Sequence, residues 1–73
     1  MSTVLAFQHR RLIRAAELSD RHMRREVRIG NVEGVLVALD PRPREVVVVL
    51  MVGQSRALFE LDPSAAVEVG RKP

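Results

Sequence analysis

The stretch Arg44-Glu45-Val46-Val47-Val48-Val49-Leu50-Met51-Val52-Gly53, REVVVVLMVG, decides the fold. Successive side chains of a β-strand point to opposite faces, so a half-buried strand alternates apolar and polar residues. Residues 46–52 are apolar without a break, on both faces at once. Burying seven such side chains would contribute roughly 10–20 kcal/mol gross, and leaving alternate ones in water would forfeit about half of that. An uncharged, valine-rich strand left bare on one side is also prone to aggregate. Arg42, Pro43, Arg44 and Glu45 stand before it as charged and proline gatekeepers. The stretch therefore predicts a strand whose second face is covered by something.

The chain has 73 residues, which is one small domain. A domain of that size buries only about 60% of the surface its unfolded chain exposes. With no cysteine, neither disulfides nor a thiolate metal site reinforce it, so apolar packing or self-association must. A hydrophobic content of 47% beside 29% charged residues is that of a folded chain rather than a disordered tail. No run approaches the ~18 apolar residues of a membrane span. Met1 to Phe7 is apolar but lacks the basic flank and cleavage site of a secretory signal. The expected compartment is the cytoplasm, with no membrane partner.

Outward from the valine-rich stretch, strand signals recur in both directions. Glu26 to Ile29 alternates, Gly30-Asn31 marks a turn, and Val32 to Leu39 reads as the next strand, with Gly34 suggesting a bulge or bend. Asp40 to Arg44, with two prolines, is a turn. Past Gly53-Gln54-Ser55, a short hairpin loop, Arg56 to Leu61 alternates again, with Ala57, Phe59 and Leu61 inward. Asp62 to Ala66 reads as one helical or 3-10 turn, and Val67 to Val69 as a last strand.

Upstream, residues 3–16 fit an amphipathic helix, with Leu5, His9, Leu12, Ile13 and Ala16 on one face and Arg10, Arg11 and Arg14 on the other. The rival reading makes Leu12 to Leu18 an extra strand. Ser19 reads as an N-cap for one helical turn over 20–24, with Leu18 and Met23 at staple spacing. Five short strands with tight turns predict a mainly β fold, a small SH3-like or Sm-like barrel over residues 18–73 preceded by a helix over residues 1–17. That helix is wide enough for only two or three strands, so both it and a second copy of the chain are expected to cover the outer face. The expected covered face comprises Leu5, Leu12, Ile13, Val47, Val49 and Met51, and a homo-oligomer is the expected state.

Charge is lopsided. Residues 1–31 hold seven arginines against Glu17, Asp20 and Glu26, while residues 32–73 are close to balanced; the whole chain carries +3. Arg21, Arg24, Arg25 and Arg28 are the cluster that points to an anionic partner. With only Phe7 and Phe59 as aromatics there is no stacking platform for bases, so any nucleic-acid contact would be to the backbone and sensitive to salt. The two histidines, His9 and His22, lack carboxylates at metal-ligand spacing. The serines have no neighbouring base, and the glycines form no phosphate loop. The pattern points away from an enzyme, a resident cofactor or a metal.

Two resemblances add to this reading. Val27-Arg28-Ile29, Asn31 and Gly34-Val35-Leu36-Val37-Ala38-Leu39-Asp40 resemble the first half of an Sm motif, which implies a barrel. The second half, where Sm proteins hold RNA bases, has no counterpart at Gly53-Gln54-Ser55-Arg56, so RNA binding does not follow. Leu18-Ser19, His22, Arg25 and Val27, with the ending Leu61-Asp62-Pro63-Ser64-Ala65-Ala66-Val67-Glu68-Val69, resemble a pattern in short proteins of actinobacteria and their phages. In that pattern a Gly is common where this chain has Arg24. The resemblance implies an origin and an SH3-like fold, with no established activity. The surplus of apolar surface over what one small barrel can bury is what suggests an interaction module, for a phage an accessory protein in the host cytoplasm that engages a host protein. The expected function is thus a non-enzymatic interaction module, with backbone-directed nucleic-acid binding by the arginine cluster as the alternative.

Overall fold

Six antiparallel strands form one open sheet in the computed structural model, which describes residues 11–70. The strands are β1 (Arg11–Arg14), β2 (Glu26–Ile29), β3 (Val32–Pro41), β4 (Val46–Val52), β5 (Ser55–Leu61) and β6 (Ala66–Val69). Their order across the sheet is β1-β6-β2-β3-β4-β5. Strands β2 to β5 form a meander. The chain then returns and places β6 between β2 and β1.

The turns follow from backbone chemistry. Gly30 and Gly53 open the two-residue turns of the β2–β3 and β4–β5 hairpins with φ of 62° and 61°. A left-handed first turn residue matches the twist of the flanking strands, and glycine adopts it without a Cβ clash. The β3–β4 turn is closed by the Arg42 N–H donating to the Glu45 carbonyl (2.8 Å). The Arg42 guanidinium there bridges Asp40 (3.0 Å) and Glu45 (3.2 Å). Residues 62–65 make one β-turn rather than a 3-10 helix, closed by the Ala65 N–H donating to the Asp62 carbonyl (2.9 Å). The Ser64 N–H and hydroxyl both donate to the Asp62 carboxylate, and these bonds hold its pKa below the ordinary value.

The valine-rich stretch divides by face. Val46, Val48 and Leu50 point inward and are buried, while Val47, Val49 and Met51 point outward and are half-buried. Leu36, Val27, Ile29, Val67 and Val69 join the inward set from neighbouring strands. The inward face is closed by the segment between β1 and β2, which sends Ala15 and Leu18 into the same core and packs Met23 against it. Two 3-10 turns, Ala15–Glu17 and Asp20–His22, shape that segment.

Three expectations are corrected. The N-terminal helix is not present over its described part, since residues 11–14 are a strand paired with β6; residues 1–10, including Leu5 and His9, lie outside the described residues. Leu12 and Ile13 consequently point to opposite faces, with Leu12 exposed and Ile13 packed against the core. The sheet has six strands rather than five and stays open among the described residues instead of closing into a barrel. The bulge in β3 falls at Val37, between the pairs Leu36–Leu50 and Ala38–Val49, not at Gly34.

Gly34 has a different task. A Cβ there would lie 2.6 Å from the Met51 carbonyl oxygen and 2.9 Å from Val52 Cγ2. The glycine lets β3, beside its pairing with Val27 of β2, approach the Met51 backbone of β4 closely. Arg24 is the opposite case, a bulky residue held at φ 67°. Its N–H donates to the Leu36 carbonyl (2.8 Å), and the Leu36 N–H donates back to Arg25 (3.0 Å), which locks the turn before β2. Left-handed backbone costs a non-glycine residue about 1 kcal/mol or more. Denaturant unfolding checks both positions: Gly34→Ala should lower stability by about 1–3 kcal/mol through overpacking. Arg24→Gly should raise it by about 0.5–1 kcal/mol through relief of strain. The reverse ordering of the two midpoints would refute this account.

Candidate functional site

The arginines separate when β2 begins at Glu26. Arg28 is on the outward face of β2, its guanidinium donating to the Gly30 carbonyl (3.1 Å) and lying 4.0 Å from Glu68. Arg24 lines a groove with Met23, Val35, Leu36 and Val37. Arg21 and Arg25 stay together, on either side of the turn that follows the second 3-10 segment. The predicted set of four is therefore divided among three places.

A residue outside that set completes the site. Antiparallel pairing of β1 with β6 brings Arg11 opposite Val69, next to the 3-10 segment. Arg11, Arg21 and Arg25 then line one cleft of about 390 Å³, with Ile13, Val69 and Gly70 as wall and with Glu17 and His22 at its polar side. This volume is at the small end of ligand sites. Among the described residues, none of the three guanidinium groups has a carboxylate at ion-pair distance. Glu17 is instead engaged by the Arg14 backbone N–H, which donates to its carboxylate (2.8 Å). Among its described residues the cleft holds three cations against one tethered carboxylate.

His22 is the buried polar side chain of the described core, 6% exposed. Its Nδ1 accepts a hydrogen bond from the Ser19 N–H (3.0 Å), which fixes the neutral tautomer protonated at Nε2. Burial, then the fields of Arg21, Arg25 and Arg11, hold its pKa below the ordinary 6.5. Neutral imidazole therefore supplies an N–H donor beside three guanidinium groups without adding to their mutual repulsion. Donors of this kind recognise the oxygens of a phosphate or carboxylate.

The remaining predicted residues are at the other end of the sheet. Val47, Val49 and Met51 share the outward face, and register places Ala38, Val49 and Leu58 side by side across β3, β4 and β5. Leu58 is 64% exposed. Ala38 is exposed as well, and Val49 between them is half-buried. Also among the described residues, no cluster of histidine and carboxylate side chains is placed to hold a metal ion, and no helix is long and apolar enough to cross a membrane. Compared with known proteins, the chain matches no family model, no curated protein and no solved structure.

The histidine gives a testable pH dependence. A His pKa depressed by folding means that the unfolded chain binds more protons just below pH 6.5. The stability contributed by neutral His22 is present above that value and is lost as pH falls toward the folded pKa. The denaturant midpoint should therefore drop between pH 7 and pH 5.5, and His22→Gln should flatten that slope. Equal slopes for the two proteins would count against the assignment.

Proposed function

We propose that the chain is a non-enzymatic binding module whose arginine-lined cleft holds phosphate groups of a nucleic-acid backbone. The observation that carries this reading is the convergence of Arg11, Arg21 and Arg25, none paired with a described carboxylate, on the cleft that His22 also lines. Unpaired guanidinium groups release condensed counterions on binding a polyanion, which drives association at low salt. The absence of tyrosine and tryptophan supports backbone contact without base stacking. A gel shift titrated with salt tests this. Three phosphate contacts on duplex DNA predict a slope of log K against log salt near about −3, and Arg21→Ala should reduce it by about one. No complex at ~50 mM salt, or a slope unchanged by Arg21→Ala and Arg25→Ala, would remove the reading.

A second reading, contact with protein through the outward face of β3–β5, is favoured by the apolar row Ala38–Val49–Leu58. In it the module self-associates or engages a host protein by covering that row. Nuclear magnetic resonance with a soluble paramagnetic agent tests it directly. The methyl groups of Val49 and Leu58 should broaden in dilute protein and become protected as concentration rises or a partner is added. Broadening that persists under every condition would exclude it.

A further inference from the structure

The exposed end of the sheet carries a pattern that fits one partner, a second copy of the same strand. β5 ends the strand order and, among the described residues, pairs on one side only, with β4. The hairpin turn Gly53-Gln54 sets Val52 opposite Ser55. In a two-residue hairpin that flanking pair is the hydrogen-bonded kind, and the kind recurs every second residue. Ser55, Ala57, Phe59 and Leu61 thus direct their backbone groups to β4. Arg56, Leu58 and Glu60 direct theirs to the open edge, and all three are exposed.

Edge strands ordinarily carry a defence against pairing, such as proline, lysine, a bulge or shortness. β1, at the other edge, is four residues long with an arginine at each end. β5 is seven residues long, pairs with β4 without a break in register, and contains neither proline nor lysine. Its only charges within the strand are Arg56 and Glu60, of opposite sign and equally spaced about Leu58.

We propose that two copies of the chain pair antiparallel through β5, with the two-fold axis at Leu58. In that register Arg56 faces the partner's Glu60, Leu58 faces the partner's Leu58, and Glu60 faces the partner's Arg56. Every outward-directed backbone group of these three residues meets its counterpart, because all three positions are of the hydrogen-bonding kind. A shift of two residues sets Leu58 against a charged side chain. A shift of one sets free backbone groups against groups already engaged with β4. On the inward face the small Ala57 meets the partner's Phe59, large against small. On the outward face the row Ala38–Val49–Leu58 continues into the same row of the partner, doubling the apolar strip across one uninterrupted sheet.

This inference names the partner for the self-association reading and rests on it; the arginine cleft plays no part. Sedimentation of the full chain should show a dimer. Arg56→Glu should weaken it about tenfold or more, since both symmetric pairs become like-charged, and Arg56→Glu combined with Glu60→Arg should restore it. The chain has no cysteine, so engineered ones report cleanly. Leu58→Cys should form a disulfide dimer under mild oxidation, because opposed Cα atoms lie about 5.5 Å apart. Arg56→Cys should not, as its own symmetry mate is about 13 Å away at this spacing. A monomer at all concentrations overturns the proposal; if the Val49 and Leu58 methyls are then protected by another protein, the broader reading of an interaction face survives alone. A dimer that cross-links equally through Arg56→Cys, or that the charge exchange fails to restore, overturns the register.

Discussion

Four residues, Ala66–Val69, hold the described chain in one piece. Among the described strands, β6 alone pairs on both sides with strands remote from it in sequence, β1 and β2. Its flanks extend the same seam: the Ala15 N–H donates to the Ala65 carbonyl (2.8 Å), Ala16 to Pro63 (2.9 Å), and Gly70 to Glu26 (2.7 Å). Val67 and Val69 then complete the inward core that Val46, Val48 and Leu50 began. The β2–β5 meander could form from local hairpins, but the cleft could not, because Arg11 reaches Arg21 and Arg25 only through β6. Fold closure and site assembly are one event.

This dependence explains which parts were legible in the sequence. The four strands of the meander were readable because each is bounded by a glycine or proline turn and carries period-two alternation or an unbroken apolar run. The inward assignments of Ala57, Phe59 and Leu61 hold for the same reason, since a hairpin register set by Gly53 fixes which face each residue takes. β1 is legible only as the rival to a helix, the extra strand over Leu12 to Leu18, and with other bounds than Arg11–Arg14. Four residues, Arg-Leu-Ile-Arg, give too short a window for period two to outweigh a helical spacing that Leu5, His9, Leu12, Ile13 and Ala16 also satisfy. What makes them a strand is β6, more than fifty residues away, and no local pattern encodes that. Arg11 was accordingly assigned to a solvated helix face, and the site lost one of its three cations.

The arginine cluster shows the same limit from the other side. Arg21, Arg24, Arg25 and Arg28 look contiguous in sequence, and on a helix they would be. The left-handed residue at Arg24 lies in the turn between the 3-10 segment, which ends at His22, and β2, and from Glu26 each further residue changes face. Arg28 becomes the cross-strand neighbour of Glu68 and Glu33 through pairing with β6 and β3. No residue of the sequence marks that backbone demand, because an arginine at position 24 carries no turn signal of its own.

The two ends of the sheet differ in kind, and the difference follows from how each edge is managed. At the β1 edge the strand is short and carries an arginine at each end, and Arg11 lines the cleft with Arg21 and Arg25. Burial of His22 there reinforces the point. A protonated imidazole would lose the Ser19 hydrogen bond and add a fourth positive charge to the cleft, whereas the neutral form keeps its Nε2 proton as a donor. At the β5 edge the charges are arranged by sign about an apolar centre, so that what repels a random strand complements an identical one. An exposed leucine at that centre costs a solitary small domain some of the burial it can least spare. The same leucine becomes cross-strand packing once the edge is joined. The valine-rich strand, apolar on both faces, thus meets two environments: Val46, Val48 and Leu50 are buried in the core, and Val47, Val49 and Met51 are half-buried on the outward face.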